Sequence, residues 1–201
     1  MHSPVVAPRA GVKHSDGSLR ELEVDRWLGD ADDVDLRILE RVWGPVLDVG
    51  CGPGRHVEAL AQQGIEALGM DLTPDFVAAA QRCQRPVVLR SVFDPFPSDV
   101  RWNWALMLDG SIGIGGDPVA LLRRVGCLLA AGGQVLVETE PPDRRSERLS
   151  MVIQSESGRD SWFDWATLSA SDAAQTAGVA HFGLVDRWED SGRWFVQLDK
   201  R

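Results

Sequence analysis

The sequence predicts an α/β protein: a doubly wound, mostly parallel sheet with helices on both faces and an antiparallel hairpin at its C-terminal end. Three observations carry this. Between residues 45 and 140, short apolar runs alternate with segments of helical spacing. The first run, Val46-Leu47-Asp48-Val49, passes into a glycine-rich turn, Gly50-Cys51-Gly52-Pro53-Gly54, and then into the helical pattern Val57-Glu58-Ala59-Leu60-Ala61. Near the C-terminus, Phe182 to Glu189 and Arg193 to Leu198 alternate across Asp190-Ser191-Gly192, a hairpin turn.

The elements follow in order. Residues 1–17 mix Pro, Gly, Ser and His without periodicity and read as a flexible tail. The remainder, 18–201, reads as one domain, with 18–43 as an N-terminal helical cap. Ser18 caps a helix carrying Leu19, Leu22 and Trp27, which Gly29 interrupts. A second helix from about Asp33 places Val34, Ile38 and Val42 on one face, and Gly44-Pro45 stops it. Strand one covers about 45–50, and its helix ends at Gly64. Strand two is Ala67 to Asp71, and Thr73-Pro74 opens the next helix. Strand three is Pro86 to Val92, followed by the rigid loop Asp94-Pro95-Phe96-Pro97. Strand four is Trp102 to Leu108. Asp117-Pro118 opens a helix over Val119 to Leu129, and strand five is Gln134 to Glu140. Beyond it, Leu149 to Gln154 is a candidate extra strand, Ser161 to Trp165 an aromatic loop, and Ser169 to Ala177 a helix ended by Gly178.

Composition narrows the function. With 44% hydrophobic and 25% charged residues, the 201-residue chain is expected to be globular. A net charge of −9 argues against a nucleic-acid partner, which favours basic surfaces. No apolar run of about 18 residues suggests a membrane span. Met1 to Gly17 lacks the apolar core of a secretory leader. Cys51, Cys83 and Cys127 are few, odd in number and widely spaced, so neither a disulfide framework nor a metal site is expected. These features point to a cytoplasmic protein, monomeric or homodimeric. Tyr is absent, which removes one common acid–base group.

The glycine loop reads G-x-G-x-G. A dinucleotide fingerprint would place its third glycine at position 55, where Arg55 stands, and a P-loop would carry Lys and Ser or Thr. Asp71 ends strand two, where a carboxylate can accept both hydroxyls of a ribose. Asp94 follows strand three beside Val92-Phe93, where an adenine ring fits. Leu108-Asp109 ends strand four. All lie at strand C-termini, where open α/β sheets bind ligands.

These segments together resemble the class I S-adenosylmethionine-dependent methyltransferases. VLDVGCGPGRH is similar to their first motif, GMDLTPDFVAAA to the second, SVFDPFP to the third, and LLAAGGQVLVE to the segment entering strand five. The resemblance covers about 45–140, and the closing hairpin fits the family's antiparallel last strand. It implies a Rossmann-like fold and S-adenosyl-L-methionine as cofactor. It also implies a site in which Asp48, Gly50, Cys51, Gly52 and Gly54 surround the methionine portion. Asp71 takes the ribose with Leu72 beside it, Val92, Phe93 and Asp94 hold the adenine, and Leu108 and Asp109 close the pocket near the sulfonium. Such a cofactor carries no phosphate, in keeping with the missing P-loop lysine. In-line methyl transfer needs chiefly placement, for which proximity supplies about 7–11 kcal/mol.

Several residues keep more than one reading. Cys51 is a small residue filling a tight turn or a nucleophile. Asp109 binds the cofactor's amino group, acts as a base, or shapes a turn. Glu138 and Glu140 are an acid pair facing substrate or polar strand ends. Trp162, Phe163 and Trp165 line an acceptor pocket or cover the core. The small insertions favour a small-molecule acceptor, and the residues after strand four do not match those of DNA amino-methylating enzymes. The alternative is a non-catalytic S-adenosylmethionine-binding protein or partner subunit. A dinucleotide oxidoreductase conflicts with Arg55.

Overall fold

The computed structural model describes residues 9–13, 17–22, 24–96, 100–154 and 160–201. The elements are strands β1 (Arg9–Lys13) and β2 (Leu19–Leu22), helices α1 (Val24–Leu28) and α2 (Asp33–Leu39), then β3 (Val46–Val49), α3 (Arg55–Gln62), β4 (Ala67–Asp71), α4 (Pro74–Arg82), β5 (Val87–Leu89) and β6 (Trp102–Met107). A 3-10 segment (Ser111–Gly116) leads to α5 (Pro118–Leu128) and β7 (Leu129–Thr139). The chain ends with β8 (Arg148–Gln154), β9 (Asp160–Ala166), α6 (Ala173–Val179), β10 (Phe182–Asp190) and β11 (Arg193–Lys200).

The main sheet has seven strands in the order β10-β11-β7-β6-β3-β4-β5. Strands β7, β6, β3, β4 and β5 are parallel, and β11 and β10 run antiparallel at one edge. Strand alternation divides the core between two faces. Leu47, Val49, Ala105, Met107, Val135 and Val137 pack against Leu121, Leu122 and Val125 of α5 and Ala173 and Ala177 of α6. Val46, Trp104, Leu106 and Leu136 pack against Ile38 and Leu39 of α2 and Val57 and Leu60 of α3. Two proline-opened helices begin as their sequence dictates: Pro74 and Pro118 occupy their first turns, and Asp117 accepts from Ala120 N–H. Helix α2 begins with a capping box, Asp32 and Asp35 each accepting the other's backbone N–H.

The N-terminal and central-late regions depart from expectation. Strand β1 stands inside the stretch expected as a flexible tail, and β2 replaces the first part of the helix expected from Ser18, whose later part, with Trp27, is α1. Both belong to a separate four-stranded antiparallel sheet, β2-β1-β8-β9. Five residues are too short to show periodicity, and β1 acquires its partners from residues 150–154, far along the chain. Residues 1–8 and 14–16 lie outside the described residues, as does Pro97. The aromatic loop is strand β9, in register against β8 from Arg148↔Ala166 to Gln154↔Asp160. Gly178 lies within α6, and the left-handed residue after it is His181, at φ 65°. Strand β7 begins at Leu129, five residues early. The register shift between Trp102 and Trp104 allows it to meet β6 around Gly132-Gly133.

The second sheet lies over the C-terminal end of the main one. Its β9 packs directly on the 3-10 segment: a Cβ at Gly113 would collide with the Ala166 carbonyl oxygen and would lie 2.6 Å from Trp165 Nε1. This closes the space above β3, β4 and β6 into cavities.

Candidate active site

The glycine loop hangs from the end of β4, with Gly50 and Cys51 N–H both donating to the Met70 carbonyl at 2.9 and 3.1 Å. Gly50, Gly52 and Gly54 all have positive φ, which non-glycine residues adopt at a cost. Their neighbourhoods differ. A Cβ at Gly50 would lie 2.7 Å from Ile114 Cδ1, so the glycine admits the 3-10 segment. A Cβ at Gly54 would lie 2.9 Å from Val87 Cγ2, so it serves packing against β5. At Gly52 a Cβ would enter open space, the cavity itself.

That cavity measures about 390 Å³. Of the expected site residues, Gly50, Cys51, Gly52, Asp71, Leu72, Val92, Phe93 and Asp109 line it. Asp48, Gly54, Asp94 and Leu108 do not. Asp48 is buried beneath the loop, Leu108 packs in the core under α2 and α3, and Asp94 is exposed with its carbonyl accepting from Arg124. The structure adds Trp27, Phe76, Ser91, Arg55, Ile114 and Gly115 to the wall, and brings Met151, Phe163 and Trp165 down from the second sheet. Trp27 and Phe76 meet edge to face at 6.2 Å. The sequence contained a signal for the aromatic strand, but none for Trp27, which reaches the cavity from a five-residue helix.

Asp71 is fixed by two backbone donors, Thr73 N–H to Oδ1 at 2.7 Å and Gly52 N–H to Oδ2 at 2.8 Å. Burial raises its pKa, opposed by these bonds. Each oxygen keeps a second lone pair for a ligand. Cys51 is a packing residue. Its sulfur rests where a Gly69 Cβ would lie, 2.5 Å away, and burial pushes its thiol pKa well above the usual 9.0. A buried neutral thiol is a poor nucleophile.

Beneath the cavity lies a charged cluster that the sequence did not reveal. Asp35 is fully buried and accepts from Arg55 Nε at 2.9 Å and Arg193 Nη1 at 2.8 Å. Arg55 also grips both oxygens of Asp109, at 2.6 and 3.0 Å. Arg193 holds Glu138 by two bonds, and Glu138 accepts Asp109 N–H at 2.8 Å. Asp109 has a left-handed backbone, φ 53°, so these contacts over-determine a strained position. Burial favours the neutral acids, but Arg55 and His56 outweigh it. They hold Asp35 far below, and Asp109 below, the usual carboxylate range. His56 sits 3.4 Å from Asp35 and 3.5 Å from Asp48, long for hydrogen bonds but close enough for charge pairing. Burial opposes its imidazolium, yet the two acids raise its pKa from 6.5 to about 9. Arg55, the departure from a dinucleotide fingerprint, is thus the link between loop and cluster.

Comparison with known proteins agrees with this geometry. Residues 46–94 match the family model described as a methyltransferase domain. No curated protein sequence matches the chain. Solved structures do. An S-adenosylmethionine-dependent methyltransferase from Bacteroides fragilis, in complex with S-adenosyl-L-homocysteine, aligns with TM-score 0.78 at 20% identity, over 97% of this chain and 89% of that one. The 1,6-didemethyltoxoflavin-N1-methyltransferase of Burkholderia thailandensis aligns with TM-score 0.64 at 21% identity, over 88% and 81%. The CcbJ methyltransferase of Streptomyces caelestis aligns with TM-score 0.64 at 17% identity, over 87% and 91%. The chain therefore has the fold of the S-adenosylmethionine-dependent methyltransferases, and its segment 46–94 matches their methyltransferase domain.

Proposed function

We propose that the protein transfers a methyl group from S-adenosyl-L-methionine to a small-molecule acceptor by in-line displacement. One observation carries this most: the segment matching the methyltransferase domain places Gly52, Asp71 and Phe93 around a single cavity at the strand ends. The cavity fits that cofactor. The position that a Cβ at Gly52 would fill is open, so a ligand can lie against the backbone. Bound, S-adenosylmethionine supplies an electrophilic methyl group on a cationic sulfur.

The chain's own residues then do the following. Asp71 accepts the ribose hydroxyls with the lone pairs that Thr73 and Gly52 leave free. Leu72, Val92 and Phe93 cover the adenine, with Gly115 allowing the Phe93 ring to approach the 3-10 segment. Asp94 lies outside this wall, so adenine recognition rests on the apolar faces. Asp109, kept anionic by Arg55, receives the amino group of the methionine part. Met151 of β8 and Phe163 and Trp165 of β9 complete the wall from the second sheet. Small-molecule methylation is also the activity named for the toxoflavin enzyme of similar fold. A cytoplasmic setting is supported by three free cysteines.

Calorimetry with S-adenosylmethionine, S-adenosylhomocysteine and NAD tests the reading. The first two are expected to bind and NAD is not. Preferential NAD binding overturns it. Formation of S-adenosylhomocysteine in the presence of an acceptor separates an enzyme from a protein that only holds the cofactor.

A further inference from the structure

The loop that carries Phe93 is held largely from outside itself. Strand β5 ends at Leu89, and Val92 and Phe93 lie beyond the last residue that β4 pairs. Within the loop, Phe93 N–H donates to Ser91 Oγ and Asp94 N–H to the Ser91 carbonyl, both at 3.2 Å. Shorter bonds come from two arginines. Arg90 donates to the Pro95 carbonyl at 2.6 Å. Arg124, 30 residues beyond Asp94 in α5, donates from Nε to the Val92 carbonyl and from Nη2 to the Asp94 carbonyl, both at 2.7 Å.

The two carbonyls that Arg124 holds stand on either side of Phe93. A guanidinium makes the stronger, charge-assisted kind of bond, and its planar fork fixes the direction of both. The Phe93 ring leans on the same part of the chain: a Cβ at Gly115, in the 3-10 segment that leads into α5, would lie 2.9 Å from its Cε2. Val92 is 5% exposed and shares the core with Leu121 and Val125 of α5. Phe93 lines the cavity yet is 45% exposed, so burial alone does not fix it. A wall residue already ordered before binding spares the ligand the cost of ordering it. Arg124 itself does not line the cavity.

We propose that Arg124 is a positioning residue for the adenine end of the cofactor. It touches no ligand and acts by holding the backbone on both sides of Phe93, which keeps that ring in the cavity wall. The assignment rests on the methyl-transfer reading above. It divides the site between two guanidiniums: Arg55 serves the amino-acid end through Asp109, and Arg124 serves the base end through Phe93.

The test begins with calorimetry of S-adenosylhomocysteine and methylthioadenosine, which share the adenine, on the wild type. Arg124→Met keeps the stem and removes the fork, and is expected to weaken both ligands by about tenfold. Phe93→Ala is expected to weaken both as well. Because the arginine acts through the ring, the double variant is expected to bind within about twofold of Phe93→Ala alone. A purely structural role predicts losses that add, and additive losses overturn the proposal. So does unchanged affinity in Arg124→Met, or a loss for S-adenosylhomocysteine that spares methylthioadenosine. Arg124→Lys, with one ammonium for two carbonyls, is expected to lose less than Arg124→Met. Should Arg124→Met fail to unfold cooperatively in urea, Arg124→Lys carries the same comparison, and unchanged affinity there overturns the proposal. If neither ligand binds the wild type, the methyl-transfer reading fails, and the assignment with it.

Discussion

Replacing His56 by Gln probes the charged cluster beneath the site through its pH dependence. His56 is 2% exposed and lies between Asp35 and Asp48, whose charges outweigh its burial and raise its pKa from 6.5 to about 9. A group bound more tightly to its proton in the folded state stabilises that state while protonated. The contribution is complete below about pH 6.5 and is lost as pH rises through about 9. At about 1.4 kcal/mol per unit, the shift corresponds to about 3 kcal/mol. Asp35 has the opposite sign: its lowered pKa gives stability that is lost only in acid, so it is silent in this window. The Cys51 thiol titrates above the window's centre and is present in both proteins, so it cancels in the difference. Urea unfolding of the wild type and His56→Gln from about pH 6 to about pH 10 reads the effect. The gap in stability between them is expected to shrink by about 3 kcal/mol as pH rises. A gap constant across that range, or an imidazole that titrates by NMR near its ordinary value, would refute the reasoning.

Asp71→Ala is expected to weaken S-adenosylhomocysteine binding by about 1.5–3 kcal/mol, the scale of hydrogen bonds to a charged group. Unchanged affinity by calorimetry removes Asp71 from the site. Arg55→Lys replaces a planar fork that spans Asp35 and both Asp109 oxygens with a single ammonium. It is expected to lower S-adenosylhomocysteine affinity by about tenfold, yet to spare methylthioadenosine, which lacks the amino-acid part. Equal losses for both ligands would mean a general structural defect. Gly69→Ala puts a Cβ 2.5 Å from the Cys51 sulfur and is expected to cost about 1–3 kcal/mol in thermal or urea unfolding. Adding Cys51→Ala removes that sulfur and should recover most of the loss. No recovery would place the strain at Cys51 Cβ and Val87 Cγ2, each 3.0 Å from the same position.

What the sequence by itself determined is the part governed by local rules. Strand β3, the left-handed glycines after it, the proline-opened helices α4 and α5, and Asp71 at the end of β4 are set by side-chain period and turn chemistry within a few residues. These were enough to indicate the parallel sheet, the loop and eight of the residues that line the cavity. What tertiary structure alone decided depends on pairings between distant segments. Strand β1 exists because residues 150–154 supply its hydrogen-bond partners, and the aromatic run 162–165 is a strand because β8 lies beside it. Asp48 belongs to a charge cluster rather than to the cavity because strand alternation turns it toward α3, where His56 waits. Asp35, Arg55, Glu138 and Arg193 come from four elements and meet only when the sheet closes. A charge reveals in sequence where it is attached, and folding alone shows which opposite charge accompanies it into the interior, where an unpaired ion would be too costly to bury.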